Sequence, residues 1–273
     1  MICVRARPLF SSPLSLSFSP TTKHSPTHLR LPLSSRRSLS AVSMSSSTTT
    51  TPPPQIIEHI VLFKVKPETD STKIASMMNG LNGLASLTQV IHISAAPLHR
   101  VRSSPIPFTH VLHSRYLSKD DLDLYAAHPD HVRVVKESVL PICDDVMAVD
   151  WVADRVPGTL APPPGSAAKL TFLKLKEDLA DDGGVKSEIV GVIKGLREKL
   201  PGIGQITVGE NFSPARAKGF SIASIAFFEG LGELEAVDGE TELVSVEKEK
   251  VREYVESTIV VEFVVPSGLV SGL

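Results

Sequence analysis

The stretch EHIVLFKVK at residues 58–66 has a second copy, AKLTFLKLK at residues 168–176, which lies 110 positions further along the chain. Each is an alternating strand pattern with lysines at the same two places, Lys64 and Lys66 against Lys174 and Lys176. At the same offset THVLHSRYL (109–117) falls on GFSIASIAF (219–227), again strand on strand. Two ungapped matches separated by a helical segment point to a duplication.

The order of elements within the first copy follows from periodicity. Ile74, Met77, Met78, Leu81 and Leu84 recur at helical spacing and predict an amphipathic helix over residues 70–85. A strand near 87–96, a loop RVRSSPIP (100–107) and the strand 109–117 follow. Ser118 with Asp121 forms a capping pair for a short helix carrying Leu122 and Tyr125, and Pro129 suits the first turn of the next helix. DVMAVDWVA (145–153) closes the unit as a strand. The second copy reads as strand 168–176, helix 185–199, strands 203–209 and 219–228, helix 240–256 and strand 258–265. The fold class is therefore α+β, two β-α-β-β-α-β repeats, each an antiparallel sheet with helices on one face. Each sheet has a bare face, and the copies are expected to cover one another as a barrel within one chain.

Composition sets the boundaries. From Met1 to Ile57 there is no aspartate or glutamate, whereas Arg5, Arg7, Lys23, Arg30, Arg36 and Arg37 stand among many serines. Such a basic, acid-free segment has the character of an organellar transit peptide, and residues 1–55 read as a targeting or disordered leader. The first repeat occupies 56–155, a proline-rich linker containing VPGTLAPPPGS occupies 156–167, and the second repeat occupies 168–266. No apolar run approaches the roughly 18 residues needed to span a bilayer. A pI near 6.5 gives no general basic surface for nucleic acid. Of the two cysteines, Cys3 lies in the leader, so Cys143 has no partner for a disulfide in a mature chain.

On HIVLFKVK, the strand THVLH and the run Y-x-x-H-P-x-H at Tyr125–His131, the chain resembles the stress-responsive dimeric A/B barrel (Dabb) family. The succession of two such domains behind a basic leader resembles the plant two-domain members of plastid or peroxisome. The resemblance implies ferredoxin-like repeats that form a dimeric α/β barrel, here by intrachain pairing, with homodimers usual in the family. It also extends to a plant polyketide cyclase of the family, the enzyme that makes olivetolic acid. Its functional positions carry over onto His59, His110, Tyr125 and His131, all present here. Chemically the set is coherent: histidine can remove a proton alpha to a carbonyl while a tyrosine hydroxyl hydrogen-bonds the oxygen that gains charge. Two functions stand side by side. One is a stress protein without catalysis, or one that binds a small apolar or aromatic molecule in the barrel. The alternative is a cyclase-like enzyme using the cluster.

Nothing implies a cofactor. His128 and His131 lack a third metal ligand nearby, and Asp120, Asp121 and Asp123 read as a solvated helix start. GENFSPARAKGF (209–220), with Arg216 and Lys218, reads as a surface turn, and His99, Arg100 and Arg102 read as solvent-facing charges. At the fixed offset His59 maps to Lys169, His110 to Phe220, Tyr125 to Glu235 and His131 to Thr241. All nine histidines lie before residue 132. The second repeat is expected to keep the frame and lose the polar cluster. Two addresses compete. The leader points to the plastid, and Ser271-Gly272-Leu273 resembles a peroxisomal S-K-L signal that initiation at Met44 would leave unopposed.

Overall fold

The computed structural model describes residues 55–154, 156, 158–239, 246 and 249–267. The leader as far as Pro54, Thr241 and the rest of 240–245, residues 247 and 248 of the helix expected over 240–256, and the terminal tripeptide lie outside the described residues. The first repeat comprises β1 (Ile56–Val65), α1 (Ser71–Gly83), β2 (His92–Pro97), β3 (Arg100–Ser103), β4 (His110–Tyr116), α2 (Lys119–Ala127), α3 (Pro129–Val134) and β5 (Cys143–Ala153). The second comprises β6 (Ala167–Leu175), α4 (Gly183–Lys194), α5 (Leu196–Lys199), β7 (Gln205–Glu210), β8 (Ile222–Phe228), α6 (Leu231–Gly239) and β9 (Val255–Val264).

Local chemistry fixes the helix starts. The Asp70 carboxylate accepts from the Thr72 amide at 2.7 Å to cap α1, and Ser118 accepts from the Asp121 amide at 3.1 Å to cap α2. His128 caps α3, whose first residue is Pro129, by accepting from the Asp130 amide at 3.2 Å. The helix α6 (Leu231–Gly239) precedes the helix expected over 240–256, of which the described residues 246 and 249–252 are helical.

The first sheet runs β2-β4-β1-β5 and the second β3-β9-β6-β8-β7, all neighbours antiparallel. Without β3, each is the same ferredoxin-like order. Because side chains alternate along a strand, each sheet has two distinct apolar faces. Ile57, Val61 and Phe63 meet the helices of the first repeat, whereas Leu62, Met147 and Trp151 share one core with Phe172, Ile225 and Phe263 of the second. The two repeats thus pair through their bare sheet faces within one chain, as ferredoxin-like barrels pair between chains.

Two seams close the pair. At one, Trp151 bridges to Asn211, and the Phe212 amide donates to the Asp150 carbonyl at 3.0 Å. Gly209 allows that approach, since a Cβ there would lie 2.8 Å from Trp151 Cδ1 and 2.9 Å from the Val152 carbonyl oxygen. At the other seam, β3 adds to the edge of the second sheet, with Arg100 opposite Glu262. This corrects the reading of RVRSSPIP as a loop. Its first four residues are a strand, which satisfies backbone groups that β9 would otherwise leave open at an edge.

The register also corrects the fixed offset. The β-bulge between Lys64 and Val65 recurs between Lys174 and Leu175, so β1 and β6 are 110 residues apart. However, His110 stands opposite Phe63 and Ile222 opposite Leu173, which makes Ile222, not Phe220, the counterpart of His110. By the same reasoning Asp150 answers to Glu262, Arg115 to Phe227 and His92 to Gln205. A shift of two residues preserves which face a side chain occupies, so the strand match survived the error.

Candidate functional site

His59 sits on the helix-facing side of β1, directly opposite Asp150 on β5. Its Nδ1 lies 2.5 Å from Asp150 Oδ1, with both side chains largely buried. Burial alone would raise the Asp150 carboxyl, but the charge and hydrogen bond of His59 and a hydrogen bond from Ser213 outweigh it, and its pKa lies below the ordinary value. With Asp150 ionised, Nδ1 carries the proton and donates, which leaves Nε2 of the neutral ring as an acceptor.

Three aromatic rings complete the cluster. Tyr125 from α2 lies 6.4 Å from His59, 5.2 Å from Tyr116 at the end of β4 and 4.5 Å from His131 of α3, ring centre to ring centre. His131 Nδ1 donates to the Ala126 carbonyl at 2.9 Å, so its Nε2 is also free to accept. Burial, aided by the charges of His59, Arg216 and His128, lowers the His131 pKa against the pull of that hydrogen bond. The Tyr116 hydroxyl pairs with Ser114 Oγ at 2.9 Å. The Tyr125 hydroxyl is buried without a hydrogen-bond partner of ordinary geometry, and burial pushes its pKa well up against the opposing pull of the nearby Tyr116 hydroxyl.

The structure therefore brings His59, Tyr125 and His131 together and leaves His110 out. His110 faces Phe63, four residues along β4 from Ser114, which puts it about 13 Å from His59 at strand spacing. It is half-buried, with Nδ1 at 2.8 Å from Thr109 Oγ1, and burial lowers its pKa.

Asp150 and Tyr116 were missed. Asp150 did leave a signal, as an acid inside the otherwise apolar run VMAVDWV. No local signal marks the contribution of the second repeat, because it arises only from pairing. Asn211 Oδ1 accepts from the Asp150 amide at 3.1 Å, and Phe212 packs onto the helix-side core while Lys119 Nζ lies 4.0 Å from its ring centre. GENFSPARAKGF is thus a surface turn only in its later part. Its first residues roof the cluster. An open groove of about 460 Å³ on the outer side of Phe212 is lined by Val152, Val190, Lys194, Val208 and Lys119, and by none of the four predicted residues.

The equivalent position of the second repeat is charged, not empty. Lys169, counterpart of His59, pairs with Asp238 at 2.5 Å; Glu262, counterpart of Asp150, is fully buried and takes the Arg102 guanidinium, which also reaches Asp238 at 2.5 Å. Arg100 pairs with Glu235 at 2.9 Å. Arg100 and Arg102 remain in good part exposed to solvent, as expected, but β3 also carries them onto the acids of the second repeat. His99 is exposed, as expected.

A second polar group lies inside the barrel. Glu58 and Arg115, both fully buried, form a forked ion pair with Nη2 to Oε1 at 2.9 Å. His113 donates to Glu58 at 2.7 Å and the Thr207 hydroxyl also donates to Glu58, at 2.9 Å, while Arg115 donates to Gln205 at 2.6 Å and to the Leu160 carbonyl of the linker at 2.7 Å. Burial would raise the Glu58 pKa, but Arg115 and His113 hold it at about 2. His92 packs 5.0 Å from His113, ring centre to ring centre. Among the described residues no group of three or more His, Cys, Asp or Glu side chains is placed to hold a metal ion, and no helix is long and apolar enough to cross a membrane.

Residues 57–153 and 167–265 each match the Stress responsive A/B Barrel Domain family, Dabb. The chain is 71% identical over 268 residues to a stress-response A/B barrel domain-containing protein of Arabidopsis thaliana, with 98% of each chain covered. It is 56% identical over 215 residues to a second stress-response A/B barrel domain-containing protein of the same plant, covering 78% of this chain and 98% of the relative. Among solved structures, a monooxygenase-like protein of Fusobacterium nucleatum superposes with a TM-score of 0.55 at 10% identity, over 78% of this chain and 93% of that one. An anthrone oxidase-like protein gives 0.51 at 13% identity, over 81% and 97%. At such identities the likeness is one of fold.

Proposed function

The chain belongs to the stress-responsive A/B barrel family, and from that premise we propose that its first repeat binds a small carbonyl compound beside Tyr125 and moves a proton on it. The observation that carries this reading is the buried Tyr125 hydroxyl, unpartnered and flanked by two histidines. A buried hydroxyl without a partner costs about 1–3 kcal/mol, a cost that a ligand oxygen would remove. In the proposed step His59 Nε2 takes a proton alpha to the carbonyl. The C–H electron pair becomes the new C=C bond as the carbonyl π pair moves onto the oxygen, which accepts from Tyr125, and the Asp150 carboxylate stabilises the imidazolium. The barrel interior is filled by Trp151, Phe172, Phe263 and their neighbours, which supports a ligand position between sheet and helices instead.

Binding without turnover is a second reading, favoured by the burial of the Tyr116 and Tyr125 rings in the helix-side core. A panel of β-polyketo compounds separates the two by ligand-induced stabilisation and by turnover. Turnover that falls about a hundredfold or more in Asp150→Asn and in His131→Ala supports acid–base chemistry. Stabilisation without turnover leaves the binding reading, and neither response across the panel refutes both.

For location we propose plastid import of the full-length product, supported by the acid-free leader, with peroxisomal delivery of a product started at Met44. A C-terminal fluorescent fusion, which masks the tripeptide, should label plastids. A diffuse signal from that fusion contradicts the transit peptide.

A further inference from the structure

We infer that the buried network around Arg115 is a pairing code, one that makes the first repeat accept the second and refuse a copy of itself. The register supplies the argument. Arg115 lies 5.3 Å from the centre of the Phe227 ring, and Phe227 is its own counterpart across the pseudo-twofold axis. Where two first repeats meet, that ring is replaced by a second Arg115. Two guanidinium groups then face each other in a site from which water is excluded.

The outer contacts change in the same direction. Gln205 and Thr207, which accept from Arg115 and donate to Glu58, are counterparts of His92 and Ser94. The carbonyl acceptor that Gln205 offers Arg115 would become a ring nitrogen. Two second repeats fail differently. Glu58 is answered by Ala168 and Arg115 by Phe227, so both copies of Gln205 and Thr207 would be buried without those partners. Each self-pair is thus penalised, and by unlike means. This is specificity gained by penalising the wrong partner. Its consequence is one His59–Asp150 cluster per barrel, always roofed by Asn211 and Phe212 of the second repeat.

The test uses the full chain with a protease site placed in the linker at residues 156–158, cut after folding. The nicked protein is unfolded in urea, refolded and weighed by native mass spectrometry. The expected result is first-with-second pairs in about a hundredfold excess over either self-pair. A statistical mixture, with one quarter of each self-pair, overturns the inference without recourse to any variant. Installing the second repeat's residues, Glu58→Ala with Arg115→Phe, should then let first-with-first pairs appear. Exclusive first-with-second pairing in that variant also overturns it.

Discussion

Replacing His92 by glutamine, the residue at the equivalent position of the second repeat, should remove part of the acid sensitivity of the fold. His92 is 7% exposed, and burial, reinforced by the charges of His113 and Arg115 against the pull of Glu58, lowers its pKa from 6.5 to about 2. The folded state holds the ring neutral, whereas the unfolded chain takes up a proton below pH 6.5. The stability this neutrality contributes is therefore complete above pH 6.5 and is lost as the pH falls. At about 1.4 kcal/mol per pH unit, acidification to pH 5 costs about 2 kcal/mol through this histidine. His113, also lowered chiefly by burial, adds to the loss, and below pH 4.5 Glu58 joins it, since its folded pKa is about 2. Urea titrations followed by fluorescence of Trp151, the only tryptophan, read the effect directly. With a slope near 2 kcal/mol/M, the wild-type midpoint should fall by at least about 1 M between pH 7 and pH 5, and His92→Gln should lose about 1 M less. Equal losses in the two proteins would falsify the assignment.

Arg115→Ala leaves the Glu58 carboxylate buried and uncompensated, and a loss of about 3–5 kcal/mol is expected in the same titration; under 1 kcal/mol would mean the pair is not buried as described. Arg102→Ala should release β3 from the second sheet, so amide exchange at residues 100–103 should accelerate at least about tenfold while that of β6 is unchanged. Residues 56–155 expressed alone expose the sheet face of Leu62, Met147 and Trp151 and should aggregate non-specifically, without a defined first-with-first pair, and a soluble, stable monomer contradicts the paired-sheet architecture.

Strand periodicity and the proline linker were enough to read two repeats, because both are local signals. The site was legible only in part. His59, Tyr125 and His131 lie on one face of one repeat, and the run holding two of them shows in sequence. His110 carried over with them by motif, but its position four residues beyond Ser114 depends on register, which the sequence leaves open. The strand carrying Arg102 was not legible because a short proline-bounded segment with charged residues has the composition of a loop; the acid partner of Arg102, Glu262, is 160 residues away. Glu58, His113 and Arg115 were visible as polar residues in strands whose alternation points them inward, yet only the second sheet shows that inward means buried.

The two ends of the barrel show how one geometry came to serve two purposes. In each repeat the last strand sets an acid opposite a basic residue of the first strand, Asp150 opposite His59 and Glu262 opposite Lys169. In the first repeat the basic residue is an imidazole, and the neighbouring hydroxyl of Tyr125 has no hydrogen-bond partner of ordinary geometry. In the second the base is a lysine already paired with Asp238, and Glu262 is held by an arginine that remains charged at any ordinary pH. The second arrangement fastens β3 to the opposite repeat, whereas among the described residues the first holds no such strand. Replacing His59 by lysine should therefore convert the first arrangement toward the second, keeping the Asp150 ion pair and the fold while abolishing any proton transfer at Tyr125. Turnover that survives in His59→Lys would show that the imidazole is not the base.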